Sequence, residues 1–179
     1  MKNIVLIGMP GCGKSTIGKI LSREIGSKFI DLDEYIVEIN NMTIDEMFQH
    51  GEEFFRDKET KVAKAAGKAR NAIISTGGGI IKRNKNMVYL KDNGFIIFID
   101  RSPEKIIETI DNLARPLLKA GKERIYNLYD ERINLYNKYC DIKIDNNGDI
   151  EQVIFNIKSL ISQGIIDKKS HTCDNEKNN

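Results

Sequence analysis

Short apolar runs alternate with longer amphipathic stretches along most of the chain. Five of the apolar runs have the length of buried strands, and polar or glycine-containing segments bound each of them. They are NIVLI (3–7), KFIDL (28–32), NAIIS (71–75), GFIIFI (94–99) and CDIKI (140–144). Between the runs, apolar residues recur at helical spacing in STIGKILSREI (15–25), DEYIVEIN (33–40), EEFFRDKETKVAKAAGKAR (52–70) and PEKIIETIDN (103–112).

Two local signals mark where helices begin. Thr43 and Glu46 have the spacing of a capping box, and Pro103 suits the first turn of a helix. Strands that alternate with helices require right-handed crossovers, which produce a parallel sheet with helices on both faces. We therefore predict an α/β fold with three layers, α/β/α, built around a five-stranded parallel sheet.

The length and composition fit one folded unit. The chain has 179 residues, of which 40% are hydrophobic. The C-terminal end differs, because the sequence from Asp167 onward is polar and has no periodicity. We predict a domain at 1–164 and a disordered polar tail at 165–179. No run approaches the roughly 18 apolar residues of a membrane span.

Charge and cysteine content narrow the class of protein. Charged residues make up 30% of the chain, but the formal net charge is only +2, which argues against a nucleic-acid or membrane-surface partner. The three cysteines, Cys12, Cys140 and Cys173, are odd in number and scattered, so they favour a reducing compartment over a disulfide framework. We expect a cytoplasmic protein.

The first predicted strand leads into GMPGCGKS (8–15), which matches the phosphate-binding motif G-x-x-x-x-G-K-[ST] between a strand and a helix. Glycines let backbone N–H groups curl around phosphate oxygens, and the helix N-terminus adds positive potential. Lys14 would neutralise the β- and γ-phosphates, and the Ser15 hydroxyl would reach Mg²⁺. We predict that nucleotide is bound by Gly11, Cys12, Gly13, Lys14, Ser15 and Thr16.

Cys12 is an unusual member of this loop. The helix N-terminus and Lys14 are able to make its thiol reactive. The simpler interpretation is that Cys12 is a small side chain that fills a tight loop.

A phosphate-binding loop does not identify the phosphoryl acceptor. GTPase switch proteins specify guanine with Asn-Lys-x-Asp after a strand. The nearest matches, at 84–87 and 137–140, lack the aspartate, so the switch interpretation is weakened.

The second predicted strand ends in Asp31-Leu32-Asp33. Alternation along a strand puts both carboxylates on one face, at the carboxyl edge of the sheet where open α/β sheets bind ligands. Asp31 would then lie near the metal and Asp33 would face an acceptor hydroxyl. The alternative is two solvated acids, with Asp33 acting as a helix cap.

Three further features are scattered along the chain. STGGG (75–79) places three consecutive glycines after an apolar strand, which indicates that another group approaches this backbone closely. Arg56 and Arg132 lie in helical stretches, and either one alone is equally well explained as a solvated surface residue.

The phosphate-binding loop, DLD, GEEFFRDKE, STGGG, ARPLL and RINLY are arranged as in shikimate kinases, so residues 2–162 resemble that family. The resemblance implies the P-loop NTPase fold of the nucleoside monophosphate kinase group. It also implies ATP-dependent phosphorylation of the 3-hydroxyl of shikimate, which gives shikimate 3-phosphate and ADP in aromatic amino acid biosynthesis.

The resemblance assigns roles to individual residues. Asp33 matches the carboxylate that binds the reacting hydroxyl, while Arg56 and Arg132 match the arginines that hold the substrate carboxylate. Substrate-binding helices would fall within 33–60. Glycine backbone would lie against the acceptor ring at Gly77, Gly78 and Gly79.

On the phosphate side, the resemblance implies that Asp31 is the acid near Mg²⁺. Arg115, in ARPLL, matches the arginine of a mobile lid (112–124) that closes over the phosphates. Lys14, Asp33 and Arg115 would therefore be catalytic. Many members place an arginine that stacks on adenine shortly before the Arg-Pro pair, where this chain has Glu108 and Asp111, so the adenine contacts stay open.

Two alternatives to the leading interpretation stay open at this point. One is a P-loop kinase for another small hydroxylated acceptor such as gluconate, and the other is a non-enzymatic nucleotide-binding regulator. The leading interpretation is a monomeric enzyme that uses ATP with Mg²⁺ and phosphorylates shikimate, without a nucleic-acid or membrane partner.

Overall fold

The structure is a computed structural model that describes residues 1–111 and 122–167, without the side chains of residues 110 and 111. Its five strands form one parallel sheet in the order β2-β3-β1-β4-β5. The strands are β1 (Asn3–Ile7), β2 (Lys28–Asp31), β3 (Ala72–Ser75), β4 (Gly94–Asp100) and β5 (Ile142–Asp145). The predicted three-layer fold with a five-stranded parallel sheet is confirmed.

Helices connect the strands and cover the sheet. They are α1 (Lys14–Ile25), α2 (Leu32–Asn40), α3 (Ile44–Gln49), α4 (Glu52–Gly67), α5 (Asn84–Asp92), α6 (Pro103–Asp111), α7 (Glu123–Tyr139) and α8 (Ile150–Ser162). A short 3₁₀ turn, Ile80–Lys82, follows β3. The capping box at the start of α3 is confirmed, with both reciprocal hydrogen bonds present between Thr43 and Glu46, and α6 begins at Pro103 as predicted.

The core lies on both faces of the three central strands. Every residue of β1 and β3 is buried, because helices cover both faces of these strands. Ile4 of the central strand β1 pairs with Ile73 of β3 on one side and with Phe95 of β4 on the other. These continuous apolar runs made the strands recognisable in the sequence.

Several predicted boundaries shift by one to three residues, and two of the differences concern the site and the C-terminal end. Strand β2 stops at Asp31 and not at Leu32, because the Asp31 side chain accepts a hydrogen bond from the Asp33 backbone N–H at 3.0 Å and caps α2. At the C-terminal end, Ile166 is buried, and Asp167 accepts a hydrogen bond from the Lys2 backbone N–H at 2.9 Å. The folded chain therefore continues through Asp167, and the rest of the predicted tail lies outside the described residues.

The carboxyl ends of the strands meet along one edge of the sheet. Strand β1 leads there into the phosphate-binding loop, β2 ends at Asp31, and β3 leads into the three glycines. This edge therefore brings together three motifs that are distant in sequence. None of the helices in residues 1–111 and 122–167 is both long enough and apolar enough to cross a membrane.

Candidate active site

A cavity of about 700 Å³ opens at this edge of the sheet. Most of the residues predicted for the site line it, although they come from five separate segments. They are Gly11, Gly13, Lys14, Ser15, Thr16, Asp33, Arg56, Gly77, Gly78, Gly79 and Arg132. Of the other predicted residues, Cys12 and Asp31 are buried and do not line the cavity, and Arg115 lies outside the described residues.

The phosphate-binding loop adopts backbone conformations that favour glycine. Gly8, Gly11 and Gly13 have φ angles of 147°, 81° and 96°, which lie in a region that other residues rarely adopt. Helix α1 begins directly after Gly13. Within the described chain, no hydrogen-bond acceptor is found for the backbone N–H groups of Gly11, Gly13, Lys14, Ser15 and Thr16. These donors are therefore available to phosphate oxygens.

Lys14 and Cys12 occupy the inside of the loop. The Lys14 ammonium donates to the carbonyl oxygens of Gly8 and Met9, at 2.9 and 2.8 Å, so a buried cation is held by its own loop. Cys12 is fully buried, with its Sγ 3.6 Å from Lys14 Nζ, and its amide already donates to Met9 at 3.2 Å. This geometry favours the filler interpretation of Cys12 over the reactive thiol.

Ser15, Asp31 and Ser75 form a group of oxygen atoms beside the loop. The Ser15 hydroxyl donates to Asp31 Oδ2 at 2.6 Å and lies 3.2 Å from the Ser75 hydroxyl. Hydroxyl and carboxylate oxygens are the ligands that hard divalent cations prefer, so this donor set fits the metal ion that accompanies ATP. Ser75 was not assigned to the site from the sequence, although it is the first residue of STGGG.

Asp33 lies in the first turn of α2 and does not continue the strand as predicted. Because Asp31 caps α2, the helix begins at Leu32, which was predicted to be the last residue of the strand. The Asp33 carboxylate still lines the cavity. Burial raises the pKa of Asp33, and the neighbouring Asp31 raises it further, whereas Lys14 and Arg56 act in the opposite direction. A half-buried carboxyl near two cations is suited to accept a proton or a hydroxyl hydrogen bond.

Arg56 projects from α4 and is buried, with 7% of its surface exposed. Its Nη1 donates to both carboxylate oxygens of Glu59, at 2.9 and 2.8 Å, and its Nε donates to Glu52 at 3.3 Å. Burial raises the pKa of Glu59, and the guanidinium of Arg56 opposes that shift. From the sequence, Glu52 was the expected partner of Arg56, and Glu59, which also lines the cavity, was missed.

The three glycines are required by space and not by backbone conformation, since none of them has a left-handed φ. A Cβ on Gly77 would lie 2.7 Å from Asp33 Oδ1, and one on Gly79 would lie 2.6 Å from Arg56 Nη1. A Cβ on Gly78 would lie 2.6 Å from Pro10 in the phosphate-binding loop. The protein's own site residues therefore approach this backbone closely. The expected contact between the glycines and the acceptor ring stays a prediction.

Arg132 reaches the same cavity from α7. Its Nη1 donates to the Gly78 carbonyl oxygen at 3.2 Å. Its Nε is buried and has no hydrogen-bond partner among the residues that the structure describes. Arg124, at the start of α7, also lines the cavity and was not singled out in the sequence. Arg56 and Arg132 thus face one space.

Substituting Gly79 by alanine should impair the site without unfolding the protein. The added Cβ would displace the guanidinium of Arg56, which is the movable end of a side chain, so we expect kcat/KM for the acceptor to fall by about tenfold or more. Gly148→Ala is the matched control, because a Cβ there meets nothing within 4 Å. Steady-state kinetics with thermal melts would check this, and wild-type kinetics in Gly79→Ala would contradict it.

The sheet order, the phosphate-binding loop after the central strand and the adjoining polar cavity together define a P-loop phosphotransferase for a small acceptor. The sequence model of one family, described as shikimate kinase, matches residues 10–162. The chain belongs to the shikimate kinase family, whose reaction is the ATP-dependent phosphorylation of shikimate.

Individual relatives agree with this assignment. A shikimate kinase of Clostridium botulinum (strain Alaska E43 / Type E3) is 54% identical over 162 residues, which cover 90% of this chain and 98% of that protein. One of Clostridium beijerinckii is 48% identical and covers 90% and 96%. The solved structure of shikimate kinase from Acinetobacter baumannii in complex with shikimate has a TM-score of 0.84 at 28% identity, covering 92% of this chain and 94% of that one.

The family assignment confirms the main expectations from sequence. The protein is an enzyme, a kinase of the shikimate pathway with the P-loop NTPase fold. It is therefore neither a non-enzymatic regulator nor a kinase of the gluconate type.

Proposed function

We propose that the cavity aligns ATP and shikimate so that the γ-phosphoryl group passes to the 3-hydroxyl, giving shikimate 3-phosphate and ADP. One observation carries the proposal: Arg56 and Arg132, from two separate helices, line the same cavity as Asp33 and Lys14. Shikimate needs a cation for its carboxylate and an acceptor for its reacting hydroxyl. Guanidinium groups bind a carboxylate through directed N–H groups. These two arginines would therefore orient the substrate carboxylate as well as neutralise its charge.

Asp33 is proposed to orient the reacting hydroxyl and to accept its proton. As the new O–P bond forms, the bond between the γ-phosphorus and the β-γ bridging oxygen breaks, and the hydroxyl proton passes to the Asp33 carboxylate. Alignment of two bound reactants lowers the activation barrier by about 7–11 kcal/mol. A general base raises the rate by about 10²- to 10⁴-fold, which corresponds to only about 3–5 kcal/mol. Asp33 therefore acts first by orientation and second as a base.

The phosphate side is proposed to work mainly by charge stabilisation. The transition state of phosphoryl transfer is loose and highly charged, so fixed donors around the oxygens matter more than covalent chemistry. The free N–H groups of residues 11 and 13–16 and the Lys14 ammonium supply such donors. Arg115 would add a cation from a lid at 112–124, and this role stays a prediction because residues 112–121 lie outside the described ranges.

Ser15 and Asp31 are the residues proposed to hold Mg²⁺, with Asp31 acting through coordinated water. The metal ion supplies neutralisation of charge on the β- and γ-phosphate oxygens when it is bound. Before then, the Ser15 hydroxyl is held by Asp31 and Ser75, which keeps the oxygen donors together. We further infer a monomeric, cytoplasmic enzyme with small-molecule substrates and no nucleic-acid partner, in keeping with its net charge of +2.

An assay of ADP release tests the proposed function. We expect release from ATP to require both shikimate and Mg²⁺, to stop on chelation with EDTA, and to resume when Mg²⁺ is added in excess. Gluconate serves as a control acceptor, since it offers a carboxylate and hydroxyls without the ring. Equal ADP release without shikimate, or with gluconate in its place, would contradict the proposal.

A further inference from the structure

Tyr136 is a fully buried aromatic residue on α7, and the residue assignments made so far give it no role. Its ring stacks on Phe98 of β4, with ring centroids 5.0 Å apart and an angle of 20° between the planes. Its hydroxyl donates to the Gly78 carbonyl oxygen at 2.6 Å. The acceptor of this buried hydroxyl is thus the backbone of the central glycine in the cavity wall.

The Gly78 oxygen accepts a second hydrogen bond, from Arg132 Nη1 at 3.2 Å. A carbonyl oxygen has two lone pairs, so these two donors occupy its capacity. Gly78 has no side chain that could anchor this backbone, and neither neighbouring residue has one. The two donors from α7 therefore fix the position of the Gly78 carbonyl group.

Fixing this carbonyl also fixes the next amide. A trans peptide is planar, so the Gly79 N–H points opposite to the Gly78 C=O, and the described residues contain no cis peptide bond. The Gly79 amide has no acceptor in the described part of the chain, and Gly79 lines the cavity beside Arg56. The tyrosine hydroxyl thus sets the direction of a free donor at the acceptor site.

We propose that Tyr136 is a positioning residue for the acceptor: its hydroxyl holds the Gly78 carbonyl and the adjoining Arg132 in the arrangement that binds shikimate. The proposal rests on the proposed function, because it assigns Arg132 and the glycine backbone to shikimate. Burial raises the pKa of Tyr136, so the hydroxyl stays protonated and remains a donor at neutral pH.

Tyr136→Phe tests the proposal, because it removes one oxygen atom and keeps the ring against Phe98. We expect the KM for shikimate to rise about tenfold, while the KM for ATP and kcat stay within about twofold. The control is Tyr139→Phe on the same helix, where the hydroxyl donates to the exposed Asn84 Oδ1 at 3.1 Å, away from the cavity. That variant should match the wild type in every constant.

A second variant separates positioning from a general loss of stability. In an Arg132→Lys background, adding Tyr136→Phe should raise the KM for shikimate by less than it does in the wild type, because both donors act through one oxygen. A Tyr136→Phe enzyme with an unchanged KM for shikimate would overturn the proposal. So would an equal rise in the KM for ATP, or strictly additive effects with Arg132→Lys. Failure of the proposed function would be seen separately, as a wild-type protein without shikimate-dependent ADP release.

Discussion

Replacing Asp33 by asparagine is expected to lower kcat by about 10²- to 10⁴-fold while the KM for ATP stays close to that of the wild type. Asparagine has the same shape as aspartate but cannot take the proton of the reacting hydroxyl. It also removes the negative charge that Lys14 and Arg56 face across the cavity. Steady-state kinetics of both substrates would check the effect.

The same substitution should change the pH dependence. Burial raises the pKa of Asp33 above its ordinary value, so kcat/KM for shikimate in the wild type should fall with decreasing pH through a limb that lies above the usual aspartate range. Asp33→Asn should lose that limb. Wild-type turnover in this variant would exclude both the orienting and the basic role.

Asp33→Asn should stabilise the folded protein although it lowers activity. The folded-state pKa of Asp33 lies above its unfolded-state value, so folding is favoured most below the unfolded-state pKa and loses stability as pH rises through the folded-state pKa. At neutral pH the ionised carboxylate is therefore destabilising, and Asp33→Asn should raise Tm. Glu34→Gln is the matched control on the same helix, because the one ion pair of Glu34 within the described residues is an exposed contact with Lys19.

Arg56→Lys is expected to raise the KM for shikimate by about 100-fold, with little change in the KM for ATP. Lysine preserves the positive charge beside Glu59, but a single ammonium cannot replace the directed N–H groups of the guanidinium. Hydrogen bonds to charged groups are worth about 1.5–3 kcal/mol each, which corresponds to this range of affinity. Alanine is a poorer choice, because a buried Glu59 left without its partner would cost about 3–5 kcal/mol of folding stability.

Arg83→Lys provides the comparison for Arg56. Arg83 also pairs with two acids of α4, Glu53 and Asp57, but it lies outside the cavity wall. The same chemical change there should leave the KM for shikimate within about twofold. Similar kinetic effects in the two variants would indicate that both arginines merely hold α4 in place through its acids, and would contradict a direct role for Arg56.

Much of the fold was predictable because burial leaves a simple trace in the sequence. Strands covered on both faces, such as β1 and β4, are apolar at nearly every position, so they are recognisable without any alignment. The phosphate-binding loop was predictable because its chemistry demands glycines and a lysine at fixed spacing. The change from strand to helix at Asp31 was harder to predict. When the last residue of a strand also caps the next helix, the sequence looks the same as that of a longer strand.

The contacts within the site were harder to predict from the sequence than the fold was. Glu59 stands three residues after Arg56 on α4, which is the usual spacing of a solvated ion pair, and only packing shows that it is buried. Tyr136 likewise resembles an ordinary core residue of an amphipathic helix. The three glycines were correctly seen as a close approach, but the groups that approach them come from α2, α4 and the phosphate-binding loop, and sequence spacing does not reveal such neighbours.

Arg56 is ordered before any ligand arrives, because Glu59 and Glu52 already hold its guanidinium. Fixing a mobile arginine costs about 2 kcal/mol of side-chain entropy, and folding has removed that freedom in advance. Shikimate is a compact ring, so complex formation freezes little motion on either side. Glu52 and Glu59 also offset much of the positive charge of Arg56. The pocket therefore selects its ligand by shape more than by charge. A flexible acid of equal charge would gain little from it.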